Sequence, residues 1–189
     1  MISMIAVEIK LEVIELPTYH SSGLTGKPLL KKLITKGVHV SPSIQLEIMD
    51  SESDVNESVT NEVEYQPVII PARYFYDQEV SHFDHNKWLI PENHVYQQAD
   101  ELGFITPPKE LGHLIALNPP FNHEELGDIQ KLVIMSERNK DSSEMAISLK
   151  HIPLGTGITT YFETVRRGTI RKVRHIFAWE YGFVFLKAR

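Results

Sequence analysis

The sequence predicts an α+β protein rich in strands: antiparallel sheet, as a sandwich or a partly open barrel, with a few short helices in the middle of the chain. Three observations lead there. Apolar residues fall on every second position near both ends, helical spacing is confined to brief segments bounded by Pro and Gly, and no repeat of solenoid period is visible. With 189 residues and no low-complexity linker, residues 1–189 are read as a single domain, long enough to bury a core without a disulfide or structural metal.

In 6–16, Val7, Ile9, Leu11 and Val13 alternate with Glu8, Lys10 and Glu12, the pattern of a half-buried strand. After a polar loop, 28–37 allows a short helix with Pro28 at its start and Gly37 at its end. Ile44, Leu46 and Ile48 alternate with Gln45 and Glu47, which predicts a second strand. Residues 50–64 are acidic without Lys or Arg and too poor in apolar side chains to offset ordering, so they are expected as a mobile loop between hairpin strands. Residues 65–76 read as a strand whose Pro67 and Pro71 favour an edge or an irregular path.

The middle of the chain is more helical. Val95, Ala99 and Leu102 keep helical spacing after Pro91 and stop at Gly103. Thr106 is placed to cap a further helix, with Pro107 at its first position and Leu111, Leu114 and Ile115 facing inward until Asn118-Pro119-Pro120 ends it. Asn122 and Glu125 have capping-box spacing for a third, short helix. From Lys131 onward the pattern returns to strands at 131–135, 144–152, 157–165 and 168–177, with Arg167-Gly168 as the turn between the last two.

Composition excludes several functions. The chain has no cysteine, which removes disulfide frameworks, thiolate nucleophiles and Cys-based zinc sites. Glu8, Glu12 and Glu15 interrupt the N-terminal apolar residues and no basic segment precedes them, so no cleavable export signal is read. No apolar run is long enough to span a bilayer, so the expectation is a cytoplasmic protein with no membrane partner. Net charge is −6, unevenly spread. Arg166, Arg167, Arg171, Lys172, Arg174, Lys187 and Arg189 face Glu180 alone at the C-terminal end, which suits a polyanion or an acidic protein surface.

Few motifs carry chemistry. Asn118-Pro119-Pro120-Phe121 resembles the N-P-P-[YF] signature of amino-group methyltransferases, which implies an Asn holding a target amine beside a methyl donor. That family also has an alternating βαβ sheet and a glycine-rich turn, which this sequence does not carry, and the stretch is read as a helix stop. Gly23-Leu24-Thr25-Gly26-Lys27 is half a phosphate loop, with Pro28 where the magnesium-binding hydroxyl belongs. Asp50, Glu52, Asp54 and Asn56 imitate the start of a calcium loop, but Val55 replaces its glycine. His82, Asp84 and His85, with Glu92 and His94 nearby, are the one dense imidazole–carboxylate group and the candidates for a metal or catalytic site. His113 and His123 have no partner in sequence. No G-x-S-x-G elbow is present, no cofactor is implied, and the chain is read as not an enzyme.

In 177–185, Phe177, Trp179, Tyr181, Phe183 and Phe185 occupy alternate positions. They read as a core strand, as a stacking platform for bases, or as an assembly seam, and a turn at 180–182 would split the stripe. The stretch 168–186 resembles the opening of cold-shock and related OB domains, where a G-T-[VI] strand leads to a Y-G-F-like strand, which implies single-strand nucleic-acid binding. The leading expectation is a non-enzymatic assembly or interaction subunit of a larger multi-protein, viral-type complex. Arg166, Arg167, Arg171, Lys172 and Arg174 would steer a protein partner or a second copy, and Trp179, Tyr181 and Phe183 would anchor it. Single-stranded nucleic-acid binding through the same residues is the alternative, and a metal-dependent enzyme around His82–His94 the third.

Overall fold

The computed structural model describes residues 13–21, 23–50, 63–75, 82–84, 87–89, 92–121, 126–127, 129–136, 145–154, 157–166 and 180–188. Most of the predicted first strand, the acidic stretch 51–62, the Asn122/Glu125 pair and the Arg167-Gly168 turn lie outside them. The chain is α+β and mostly sheet, with short helices, and its large sheet does not close into a barrel.

The strand β1 (Ile14–Glu15) leads through Pro17 to β2 (Tyr19–His20). The helix α1 (Gly26–Thr35) then buries Leu29 and Leu33, one turn apart. It stops where Gly37 takes φ 78°, a left-handed conformation that costs a glycine little. After β3 (His39–Val40) comes the main correction to the sequence reading: Pro42–Met49 is a helix, α2, where a strand was expected. Ile44 and Ile48 are fully buried while Leu46 is 73% exposed, so the two isoleucines share a helical face and the leucine points away. Pro42 supplies the reason, because at the first position its missing N–H costs nothing and its φ suits a helix. The acidic stretch therefore follows a helix, not a hairpin strand.

The strand β4 (Glu64–Tyr65) pairs with β2 and precedes β5 (Pro67–Pro71), a 3-10 turn at Ala72–Phe75, and a ribbon of β6 (His82–Asp84) and β7 (Lys87–Leu89). The helix α3 (Glu92–Glu101) buries Val95 and Ala99 and ends before Gly103, as its spacing predicts. Then follow β8 (Phe104–Ile105) and α4 (Lys109–Leu117), which starts after Pro108, beyond the predicted Thr106 cap. The chain finishes with β9 (Lys131–Ile134), the long hairpin β10 (Met145–Leu154) and β11 (Gly157–Arg166), and β12 (Tyr181–Lys187).

Eight of the described strands form one sheet in the order β1-β5-β12-β9-β10-β11-β3, with β8 pairing the end of β12. It is mixed where the sequence suggested antiparallel, since β12 runs parallel to β9 and β11 parallel to β3. Pro67 and Pro71 bound β5, which is flanked on both sides, so the expected edge position does not hold; only the short β1 lies outside it. Side-chain alternation sorts the core onto two faces. Ile69, Leu132, Ile134 and Val184 pack with α1, α2 and α4, whereas Val68, Ile70, Val133, Phe183 and Phe185 pack with α3 and Phe75. Covered on both faces, the centre of the sheet supports unbroken apolar runs such as Phe183-Val184-Phe185 and Leu132-Val133-Ile134.

Candidate functional site

Beyond α3 the second face of the sheet changes character. Cross-strand register aligns Tyr181 of β12 with Lys131 of β9, Lys131 with Lys150 of β10, Lys150 with Tyr161 of β11, and Tyr161 with His39 of β3. Residues directly opposite in a sheet project to the same face, so these five form a transverse row over five strands. The next row on that face holds Phe183, Val133, Ser148 and Glu163. Phe183, Val133 and Ser148 are sealed, while Tyr161, Tyr181 and Lys150 are half-buried and His39 is exposed.

Contacts within the row fix its shape. Lys131 is only 9% exposed and its ammonium meets Glu163 Oε1 at 2.7 Å, also lying 5.4 Å from the centre of the Tyr181 ring. Burial raises the pKa of the Tyr181 hydroxyl, and the carboxylates of Glu180 and Glu163 raise it further, so the phenol keeps its proton and can donate. The rings of His39 and Tyr161 lie 4.9 Å apart, tilted by 53°. The result is a shallow band of two phenols, an imidazole and two ammonium groups beside the carboxylates of Glu163 and Glu180. Such a band can stack on flat groups and bind anions through Lys150, whereas Lys131 is already matched by Glu163.

Comparison with protein-family models, with curated proteins and with solved structures finds no match.

Of the residues singled out in sequence, Tyr181 belongs to this row. Phe183 does not: it is fully buried in the adjacent row, edge-on to Phe75 with ring centres 5.4 Å apart. Phe185 is likewise internal, so the described part of the aromatic stripe is core apart from Tyr181. Arg166 ends β11, and Arg167, Arg171, Lys172, Arg174 and Trp179 lie outside the described residues. His82 and Asp84 stand on β6, while His85 lies outside the description; Glu92 and His94 open α3. Among the described residues no group of three His, Asp or Glu is arranged to hold a metal.

Asn118, from the methyltransferase-like tetrad, ends α4, where its backbone carbonyl accepts a hydrogen bond from the Tyr19 hydroxyl at 2.9 Å. His113, partnerless in sequence, is 1% exposed, its ring edge-on to Phe162. Sequence reasoning missed Lys131, Lys150, Tyr161 and His39, because only the strand register brings them beside Tyr181. The available signal was the polar–apolar alternation of Ser148-Leu149-Lys150.

Proposed function

We propose that the protein is a non-enzymatic interaction subunit that docks an acidic protein surface, a second copy of the chain included, on the Tyr181–Lys131–Lys150–Tyr161–His39 row. The observation that carries this reading is a band in which Tyr181, Lys150 and Tyr161 are half-buried and His39 is exposed, beyond the part of the face that packs with α3. Tyrosine gives large amphipathic contact area at low entropic cost, and Arg and Lys steer encounter more than they hold it. Arg166, Arg167, Arg171, Lys172 and Arg174 supply steering charge, and the acidic remainder of the chain supplies a complementary surface on a second copy. A place in a larger, viral-type assembly rests on no motif.

The test is mass by light scattering over a concentration series at low and high salt, on protein checked for bound nucleic acid. Mass should rise with concentration at low salt, fall at high salt, and stay monomeric in Tyr161→Ser and Lys150→Glu. A monomer under every condition would remove self-association from the proposal.

A second reading is favoured by the alternation of rings and cations along the row: single-stranded nucleic acid stacked on Tyr161, His39 and Tyr181. Each stacked base would contribute about 1–3 kcal/mol, and affinity would fall steeply with salt. Fluorescence anisotropy with a short labelled oligonucleotide separates the two, because a docking surface for acidic protein predicts no base-dependent loss in Tyr161→Ala.

A further inference from the structure

On the opposite face from the row, a cavity of about 730 Å³ opens between the end of α1, the segment Pro17–His20 and the end of α4. Its floor is apolar: Leu114 and Leu117 are each 4% exposed, and Pro119 and Pro120 continue the wall. Its rim is cationic. Lys32 and Lys36 stand one helical turn apart, so both ammonium groups reach the same opening, with His20 and Thr18 opposite. No Asp or Glu lines the cavity among the described residues. Lys36 Nζ donates to Asn118 Oδ1 at 3.3 Å, a neutral acceptor that orients the ammonium without cancelling its charge. The wall is braced, because Tyr19 is 7% exposed and its hydroxyl is committed to the Asn118 carbonyl.

We infer that this cavity binds a small organic anion with an apolar body, its carboxylate or phosphate between Lys32 and Lys36 and its body over Leu114, Leu117 and Pro119. The volume falls in the range of small-molecule sites, roughly 300–1,000 Å³, and an apolar floor with few convergent polar groups is their usual construction. Paired cations select the anionic head, and the floor excludes free inorganic ions as the preferred occupant. The site is separate from the docking row.

Isothermal titration with decanoate, decyl phosphate, decanol and inorganic phosphate tests this on the full chain. Saturable binding of one or both amphiphilic anions is expected, with decanol and inorganic phosphate at least about tenfold weaker. The tighter of the two anions tells a carboxylate ligand from a phosphate ester. Lys32→Gln with Lys36→Gln should weaken that binding by about tenfold or more. Thr18→Trp, which fills the mouth from an exposed position, should weaken it too, and circular dichroism checks that both variants fold. Absence of saturation by either anion, equal binding of decanol, or wild-type affinity in both variants would overturn the assignment.

Discussion

At the scale of single residues, two buried polar groups on α4 set measurable behaviour. His113 Nδ1 meets the Lys109 carbonyl at 3.1 Å, which makes Nδ1 the protonated nitrogen, and Nε2 is buried without a partner among the described residues. Burial pushes its pKa down to about 4 from the usual 6.5, so the folded chain keeps the ring neutral while the unfolded chain takes up a proton. Stability from this residue is therefore full above pH 6.5 and drains away as pH falls towards 4, a total on the order of 3 kcal/mol. His113→Leu should flatten that acid limb in urea melts at pH 7, 5.5 and 4.5. Three residues earlier, Glu110 is 3% exposed and accepts from the Tyr65 hydroxyl at 2.9 Å and from Ser21 Oγ at 3.0 Å. Tyr65→Phe leaves a buried carboxylate short of a donor and should cost about 2 kcal/mol in the same melts at pH 7. Ser21→Ala, at a half-exposed position, should cost less.

At the scale of elements, α2 shows why local pattern was insufficient. Ile44, Leu46 and Ile48 alternate as a strand would, but the 44/48 pair is equally the i, i+4 pair of a helix, and a stretch so short fits both periods. The tie-break was Ser41-Pro42, a helix-start signal that the alternation hid. Leu46→Glu should leave the melting midpoint nearly unchanged and Ile48→Glu should unfold the chain; equal damage from both would argue for the strand. In β12 the core-strand reading holds for Phe183 and Phe185, but on a sheet covered from both sides Gly182 and Val184 between the aromatics are buried as well. Gly182 is needed there because a Cβ would lie 2.5 Å from Ile69 Cγ2 and 3.2 Å from Ile129 Cγ2. Gly182→Ala is expected to cost roughly 1–3 kcal/mol by overpacking, read as a lower denaturation midpoint.

At the scale of the whole molecule, the strand content, three of the helices close to their expected places and the hairpin β10–β11 were legible, since each rests on local periodicity and on turn or cap residues. The parallel pairs and the Tyr181–His39 row were not, because those two residues come to one face only through the pairings of five strands. Register between distant strands is a property of packing that no short window contains. No helix among the described residues is long and apolar enough to cross a membrane. One arrangement, the place of β12 between β5 and β9, bears on how the chain is made. Of the described strands it is the last to leave the ribosome, and until it does, β5 and β9 carry apolar edges with nothing between them. The nascent chain must hold two unfinished half-sheets apart from other proteins, so its demand on chaperones peaks just before 181–187 emerge. Released chains that lack 181–187 should stay holdase-bound, whereas the released full chain should reach a protease-resistant fold.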